Sequence, residues 1–339
     1  MPCFQIDDIL YDVADQGADG GAREADEESL REDYYLIPID VFYLTERLES
    51  DLFFYYQGKY VLFKSRGLQW LQEDIEKLKT SAITELFAQF KSHKEHHDFL
   101  HKKLRSIVSN PTTPLEKKAK VLYETSDPIL TTVYRTPNSG EIIQSASTFV
   151  RTCITYLTDR GSLTELFKLS GDSFSEYSHS LHVAAYSIAL GKKVGIMEPT
   201  QQYPLGLGAM LHDIGKSKID PATLNKPGPL TEDEWRQMRQ HPEWGEQILY
   251  HRDIVPALSR RIVLEHHERV NGKGYPKQIK SAHYYSKIVA ISDVFNSLTS
   301  NRPYAKAMKP YEALKYMIQN LKDDFDAELF EAFINMLSS

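Results

Sequence analysis

Histidine and aspartate side chains recur near the ends of predicted helices in the C-terminal part of the chain, and this recurrence limits the folds open to it. The central pair is His212-Asp213, which follows an apolar helix predicted over residues 202–211. An aspartate in an apolar run such as residues 288–295 must meet a cation or hydrogen bonds, because burying it unpaired is costly. The positions of this type are His179, His212, Asp213, His241, His266, His267 and Asp293. Together they predict helices that converge on one metal site.

The types of donor restrict the metal that such a site would hold. Five histidines and two aspartates supply imidazole and carboxylate but no thiolate, which favours iron, manganese or zinc over a structural cysteine–zinc site. Seven donors are too many for one ion but suit two divalent ions that share a carboxylate, and Asp213 is suited to bridging. Paired ions about 3.5–4 Å apart are a recurrent device for phosphoester hydrolysis. Lys216, about one turn beyond His212, can place an ammonium beside the same cavity.

The sequence predicts a helical bundle around these residues, over about 138–339. A core-facing stripe runs along the helix predicted over 141–157. Thr231-Glu232-Asp233-Glu234 is a capping box that begins another helix, and Gly215 is expected to end the helix that precedes it. His182 is interpreted as an ordinary buried histidine.

Residues 34–137 have a different pattern, which predicts a smaller α+β domain with a helical linker. Alternation over 35–41 predicts a strand. Two aromatic and β-branched runs, 51–56 and 59–64, flank Gln57-Gly58, which predicts a β-hairpin. A helix is expected over about 71–79. The punctuation at residues 136–140 is the expected domain boundary.

One helix of this N-terminal domain carries four histidines with spacings that include one helical turn. Because charged residues interleave with them, we interpret this stretch as a solvent-exposed helix face with a structural role and no metal. The histidines are His93, His96, His97 and His101, and the interleaved residues include Lys94, Asp98 and Lys102.

Charge and composition exclude several classes of protein. The net charge is −7, and residues 1–33 hold eleven acids against two arginines, or −9, which leaves about +2 for the rest. This predicts an acidic, disordered leader. The sequence shows no concentrated Lys/Arg face for nucleic acid and no apolar run that could span a membrane. Two distant cysteines, Cys3 and Cys153, and an N-terminus without signal-peptide features suit the cytoplasm.

With these residues identified, the region of about 140–339 resembles the HD-domain metal-dependent phosphohydrolases, and its motifs resemble those of the HD-GYP subgroup. The resemblance does not extend to residues 1–137. It rests on His212-Asp213-Ile214-Gly215-Lys216, His241-Pro242 with Gly245, the run Glu265-His266-His267 through Gly274-Tyr275-Pro276, and Asp293-Val294-Phe295 leading to Arg302-Pro303-Tyr304. It implies an all-α HD-domain helical bundle in a bacterial di-metal phosphodiesterase. The implied substrate is cyclic di-GMP, opened to linear pGpG, GMP or both.

The resemblance also implies a division of the donors between two ions, iron or manganese before zinc. One ion would take His179, His212, Asp213 and Asp293. The other would take Asp213, His241, His266 and His267, so that Asp213 bridges. The substrate phosphate would meet Lys216 and Arg302, with Lys306 nearby, and Tyr275 would line the pocket. Asp213 and Lys216 would thus be the catalytic residues.

Four positions depart from the family pattern. Ser175 stands where members with a third metal carry Glu, which predicts two metals. Asn271 and Asn296 replace aspartates, and Ala305 stands where a basic residue is common. These changes touch the surroundings of the metal donors and the substrate contacts but spare the donors themselves.

Three alternatives stay open beside the phosphodiesterase, and the changes at Asn296 and Ala305 motivate the main one. The main one is a catalytically weak or inactive metal-binding receptor that signals through cyclic di-GMP or through protein contacts, with the N-terminal domain as regulator or partner platform. A phosphohydrolase for another nucleotide is the second, and the Gly274-Tyr275-Pro276 loop speaks against it. A helical bundle with ordinary polar residues is the third, which seven ligand-type residues in motif order argue against.

Overall fold

The computed structural model describes residues 34–43, 46–81, 83, 85–169, 176–226, 228–301 and 306–338. The chain forms two compact units, and the division lies between Thr113 and Pro114. The acidic leader predicted over residues 1–33 lies outside the described residues.

A four-stranded antiparallel sheet is the basis of the N-terminal unit, in the order β1-β6-β3-β4. A short ladder pairs β2 with β5. The strands are β1 (Tyr34–Pro38), β2 (Glu46–Arg47), β3 (Leu52–Tyr56), β4 (Lys59–Lys64), β5 (Gln69–Trp70) and β6 (Glu85–Gln89), and the helices are α1 (Gln72–Thr80) and α2 (His93–Ser109). The smaller α+β domain predicted from the sequence is confirmed.

The predicted hairpin is present between β3 and β4. Gln57 and Gly58 both have positive φ, 46° and 85°, as a two-residue loop that matches the twist of its strands requires. The first strand ends earlier than the predicted residue 41. Pro38 supplies no backbone N–H for a ladder, and the chain turns there into the 3-10 helix Ile39–Phe42.

The histidines of α2 do not form a solvent-exposed face, so that interpretation was wrong. His96, His97 and His101 are buried. The His96 imidazole Nε2 lies 2.9 Å from the Leu36 carbonyl oxygen of β1, and its ring packs on Tyr35. The interleaved residues Lys94, Asp98 and Lys102 are exposed, because neighbouring helix positions point about 100° apart. Within the described part of the chain, the groups of donors close enough to share a metal do not include these histidines.

All elements that the structure describes in the C-terminal unit are helical, which confirms the all-α prediction. The helices are α3 (Leu115–Arg135), α4 (Gly140–Tyr156), α5 (Ser162–Lys168), α6 (Glu176–Lys193), α7 (Pro199–Met210), α8 (Pro221–Leu224), α9 (Glu232–Met238), α10 (His241–Tyr250), α11 (Ala257–Glu265), α12 (Tyr284–Thr299), α13 (Pro310–Asn320) and α14 (Ala327–Leu337). The predicted capping box is formed at the start of α9, where Thr231 Oγ1 accepts the Glu234 N–H and the Glu234 carboxylate accepts the Thr231 N–H.

Helices α6 and α7 lie at the centre of the bundle. Helix α12 packs on α6, and α11 packs on α7. The side chains between them are apolar and buried: Leu181, Ile188, Leu207, Ile262, Ile288 and Phe295. Burial of these side chains holds in place the four helices that lead to predicted metal donors. Each Å² of apolar surface removed from water stabilises the fold by about 25 cal/mol.

The division at residues 113/114 differs from the boundary predicted at 137/138. Helix α3 packs against α4, α5 and α6 of the C-terminal unit, and Leu122, Ile129 and Val133 are buried there. The punctuation at residues 136–140 is therefore a turn between packed helices. Pro and Gly signal a break in the chain equally well in such a turn and in a linker.

Within the described ranges, the helices fall short of the length and apolar character that a membrane span needs.

Candidate metal centre

Helices of the C-terminal unit bring the seven predicted donors to one place. His179 lies on α6 and Asp293 on α12, whereas the others lie at helix ends. His212 and Asp213 follow α7, His241 begins α10, and His266 and His267 follow α11. Six of the seven are buried, and the His267 side chain is 18% exposed.

Adjacent His212 and Asp213 reach the same site because the helix ends before them. Helix α7 stops at Met210, and the chain then enters a turn that leads into the 3-10 helix Ile214–Lys218. Gly215 lies inside that 3-10 helix and does not end α7, contrary to the prediction. A Cβ on Gly215 would collide with the His241 carbonyl oxygen and would lie 2.6 Å from the Gly245 nitrogen. Glycine at 215 therefore permits the two donor-bearing segments to touch.

The first donor group consists of His179, His212, Asp213 and Asp293. The Nε2 atoms of His179 and His212 are 3.3 Å apart. The Asp213 Oδ2 atom lies 3.1 Å from the His212 Nε2 atom, and the Asp293 Oδ1 atom lies 3.3 Å from the His179 Nε2 atom. Two of these side chains thus come from helices α6 and α12 and two from the end of α7, and donor atoms of His179, His212 and Asp213 all lie within 4.8 Å of one another.

The second donor group consists of Asp213, His241, His266 and His267. The Nε2 atoms of His241 and His266 are 3.2 Å apart, and the Asp213 Oδ1 atom lies 3.2 Å from the His241 Nε2 atom. Donor atoms of these four residues all lie within 4.8 Å of one another. Asp213 therefore turns one oxygen to each group, which is the arrangement of a bridging carboxylate.

Hydrogen bonds at the other ring nitrogens fix which imidazole atoms carry lone pairs. The Nδ1 atoms of His212, His241 and His266 lie 2.7–2.8 Å from backbone carbonyl oxygens of residues 209, 238 and 263. A carbonyl oxygen only accepts, so each Nδ1 donates its hydrogen and each neutral ring has a bare Nε2. In the second group, two bare nitrogens therefore face each other at 3.2 Å, an arrangement that a cation between them would stabilise.

The His179 ring is fixed in the same way, but by a side chain and not by a backbone carbonyl oxygen. Its Nδ1 atom lies 2.7 Å from the Asn296 Oδ1 atom, so the amide oxygen accepts and the Nε2 atom faces His212. Both Asn296 and Ser292 beside it are buried on α12. The Asn296 Nδ2 group is buried without a hydrogen-bond partner. A neutral amide thus holds His179 where the family pattern has a carboxylate.

A carboxylate oxygen without a hydrogen-bond partner also fits a metal site. Asp213 is 4% exposed, and its Oδ1 atom accepts no hydrogen bond of good geometry although the His241 ring is near. A buried carboxylate oxygen without a partner is costly, and a divalent ion would satisfy it. The orphaned oxygen and the facing nitrogens both show that these residues fit a pair of ions.

The charge states follow from burial and from the neighbouring groups. Burial alone would raise the pKa of the Asp213 carboxyl, but the His212 imidazole and the Lys216 ammonium hold it well below its usual range. Burial likewise opposes the histidine contacts that keep the pKa of Asp293 low. Burial and neighbouring imidazoles hold the pKa of His266 well below its usual value, so this ring is neutral at pH 7. Ionised carboxylates and neutral imidazoles are the forms that bind metal.

The pKa of His212 shifts in the opposite direction to that of His266. Burial would lower the pKa of His212, but the adjacent Asp213 and Asp293 carboxylates raise it overall. A divalent ion at the first donor group would oppose this protonation through its own positive charge.

Tyr275 of the Gly-Tyr-Pro loop packs against the second donor group. Its ring stacks on the His267 ring with centroids 4.5 Å apart, and its backbone N–H donates to the His267 carbonyl oxygen at 3.1 Å. Gly274 permits this approach, because a Cβ there would lie 2.5 Å from the Arg269 nitrogen and 2.6 Å from the Glu268 Cα atom.

Glu265 and Glu268 position the surrounding segments, and sequence reasoning assigned them no role. The buried Glu268 carboxylate accepts the backbone N–H groups of Lys277 and Ile279 at 2.6 and 3.0 Å, just beyond Tyr275. The buried Glu265 carboxylate accepts the His283 N–H and the Ser286 hydroxyl at the start of α12. An acidic residue directly flanking each end of the His266-His267 pair was the available signal.

The predicted substrate contacts have different outcomes. The Lys216 Nζ atom lies 2.6 Å from the Asp213 Oδ2 atom, so the predicted ammonium does border the centre. Lys306 is exposed. Arg302, Ala305 and Ser175 lie outside the described residues. Asn271 donates to the Asp324 carboxylate at 2.6 Å, which gives that amide a role in holding the loop. His182 is buried with its Nδ1 atom on the Ser178 carbonyl oxygen, consistent with a structural histidine.

Comparisons with known proteins identify the domain that carries these residues. Residues 162–329 match the family model described as HD domain. A cyclic di-GMP phosphodiesterase of Pseudomonas aeruginosa is 35% identical over 175 residues, which are 51% of this chain and 42% of that protein. The 3'3'-cGAMP-specific phosphodiesterase 3 of Vibrio cholerae is 36% identical over 171 residues, 49% of this chain and 37% of that protein. The chain thus spans less than half the length of these relatives.

A solved structure extends the similarity in fold beyond the matched region. The HDG"Y"P protein Bd1817 from Bdellovibrio bacteriovorus matches over 91% of this chain and 100% of its own, with a TM-score of 0.67 and 17% identity. The helical fold and its histidine–aspartate centre define an HD-domain protein. Within that class, the Gly274-Tyr275-Pro276 loop resembles the HD-GYP subgroup, and the two relatives at 35–36% identity are named as cyclic dinucleotide phosphodiesterases.

Proposed function

We propose that this chain is a phosphodiesterase that hydrolyses cyclic di-GMP at a centre of two divalent metal ions. The observation that carries the proposal is the Asp213 carboxylate, whose two oxygens each face a pair of histidine Nε2 atoms. The hydrogen-bonded Nδ1 atoms leave those nitrogens with free lone pairs. The activities named for the relatives support the substrate class.

The two donor groups would hold one ion each. His179, His212 and Asp293 would complete the first ion's ligands, and His241, His266 and His267 the second's, with Asp213 shared. Imidazole and carboxylate without thiolate suit iron or manganese, and zinc is the third candidate. When bound, a pair of divalent ions supplies Lewis-acid activation of water and neutralises phosphate charge.

The chain's own side chains would position the substrate. Hydrolysis joins a water oxygen to phosphorus and releases the ester oxygen with a proton, which opens the ring to linear pGpG. The Lys216 ammonium, already 2.6 Å from the bridging carboxylate, would meet a phosphate oxygen there. Tyr275 would line the pocket through its stacked ring, and Arg302 with Lys306 would supply further positive charge. A second round on pGpG would give GMP.

One observation favours a second candidate, a receptor that binds metal and dinucleotide without turnover. Asn296 presents a neutral amide to His179, and the partner of a metal-bound imidazole tunes the basicity of that ligand. Such a protein would signal through cyclic di-GMP or through protein contacts, with the N-terminal unit as the partner platform.

The deciding experiment is anaerobic turnover of cyclic di-GMP by protein loaded with Fe(II) or Mn(II), with metal counted in the same sample. We expect linear product and about two ions per chain. His212→Ala removes one of the predicted donors. His251→Ala, a change at an exposed histidine of the same unit, is its matched control. Tight dinucleotide binding with two ions and no product would instead establish the receptor.

A further inference from the structure

The segment that leads into His241 offers a surface that the proposed reaction does not yet use. Helix α9 ends at Met238, and α10 begins at His241. The Met238 carbonyl oxygen accepts the His241 Nδ1–H at 2.7 Å, so this backbone is fixed to the second donor group. The Tyr275 ring lies across from it, with its centroid 6.4 Å from that of His241. Arg239 therefore belongs to a backbone segment that is fixed to the second donor group.

Arg239 is exposed and lies two residues before the predicted donor His241. Arg269, in the loop before Tyr275, is engaged elsewhere, since its guanidinium donates to the carbonyl oxygens of His266 and Glu268. Arg239 is thus an exposed cation of the segment that carries His241.

An exposed indole accompanies Arg239. The Arg239 guanidinium carbon lies 5.9 Å from the centroid of the Trp235 ring, one turn earlier on α9. The Trp235 side chain is 42% exposed, although large apolar side chains are usually buried. A guanidinium beside an exposed aromatic ring offers both a hydrogen-bonding fork and a stacking surface.

The neighbouring arginine provides a contrast. The Arg236 side chain is 74% exposed, and its Nη1 atom pairs with the Asp233 carboxylate at 2.9 Å. For Arg239, no carboxylate of the described residues lies within ion-pair distance. Of the two arginines, the one closer along the chain to His241 is thus the one left to bind another group.

We infer that Arg239 and Trp235 form a binding site for one guanine base of the dinucleotide, an inference that rests on the proposed function. An arginine fork matches the O6 and N7 acceptors of guanine, whereas adenine presents an amino donor in place of O6. Indole stacks on any base. The two residues therefore have different roles: Trp235 stacks on a purine, and Arg239 selects guanine over adenine.

The test measures dissociation constants of metal-loaded protein for cyclic di-GMP and cyclic di-AMP by calorimetry. Arg239→Ala should weaken cyclic di-GMP binding by about 10-fold or more, within the range for loss of a bidentate base contact, and should reduce the preference over cyclic di-AMP. Trp235→Ala should weaken both ligands. Arg236→Ala, which removes a guanidinium already paired with Asp233, is the matched control and should change neither constant.

Arg239→Lys separates base recognition from attraction to phosphate. Lysine keeps the charge but lacks the planar fork, so the preference for cyclic di-GMP should fall toward that of Arg239→Ala. Wild-type selectivity in Arg239→Lys, or equal affinities in Arg239→Ala and Arg236→Ala, would overturn the inference. Turnover by the wild type is recorded separately, so the proposed function can fail while the guanine site is confirmed by binding. Absence of dinucleotide binding by the wild type would overturn both.

Discussion

Two histidine clusters in this molecule show what separates a metal centre from a structural use of the same side chain. The four histidines of α2 come from one helix, and His96 bonds to the Leu36 carbonyl oxygen. The five predicted donor histidines of the C-terminal unit come from separate helices. Four of them, His179, His212, His241 and His266, bond outward through Nδ1 and turn Nε2 inward, whereas His267 turns Nδ1 toward Asp293. Convergence from separate elements, with carboxylates between the rings, distinguishes the second cluster. Spacing along a single helix does not.

The largest effect should follow from removing the shared carboxylate. Asp213→Ala takes one donor from each group, so we expect loss of both ions and of at least about 10³-fold in the rate of dinucleotide hydrolysis. Metal content by mass spectrometry checks this. His93→Ala, a change at an exposed histidine of α2, should leave both ions in place. Two ions retained in Asp213→Ala would refute the bridging role.

Asn296→Asp should strengthen the first donor group. A carboxylate accepting the His179 Nδ1–H makes that imidazole a more basic ligand, and partners of this kind change metal affinity by about 10–100-fold. Competition with a chelator measures the change on protein without substrate. Ser292→Ala, on the same helix, is a control for disturbance of packing. Equal metal retention by wild type and Asn296→Asp would show that the amide does not weaken the site.

The α2 cluster should respond to acid without any metal. Burial lowers the pKa of His96 from 6.5 to about 4, so the unfolded chain binds a proton there before the folded chain does. Stability from this group is present above pH 6.5 and is lost as the pH falls toward 4, by about 2 kcal/mol at pH 5. Urea unfolding of wild type and His96→Gln at pH 7 and pH 5 measures it. The glutamine variant should lose less stability on acidification; equal losses would contradict the assignment.

Glu268→Gln should have the smallest effect of these changes. The substitution keeps the shape of the side chain, but glutamine has a single acceptor oxygen. Of the two charge-assisted bonds from the Lys277 and Ile279 N–H groups, each worth about 1.5–3 kcal/mol, one is therefore weakened and the other is lost, because the amide NH2 group cannot accept. We expect a several-fold higher KM for cyclic di-GMP, because Tyr275 is held less firmly, with unchanged metal content. Glu243→Gln, an exposed change on α10, is the control. Loss of metal in Glu268→Gln would show that its role extends to the donors.

The seven predicted donors could be singled out by residue type and by their order along the chain, and the structure brings their side chains together. The environment of the α2 histidines was not, since interleaved charges do not reveal which side of a helix meets a sheet. Gly215 was misread for a similar reason. The sequence does not distinguish a glycine that ends a helix from one that permits a backbone contact with a segment about 25 residues further on. Glu265 and Glu268 bond to backbone N–H groups of a later segment, which no local pattern records.

The backbone contact at Gly215 has a consequence for how this centre can vary. The segment bearing His212 and Asp213 touches the start of α10 at His241 main chain to main chain, with no side chain between. The separation of the two donor groups is therefore set by backbone atoms, which are the same whatever the side chains. Substitutions in the surrounding loops can change which ligand is bound while the distance between the two donor groups stays constant.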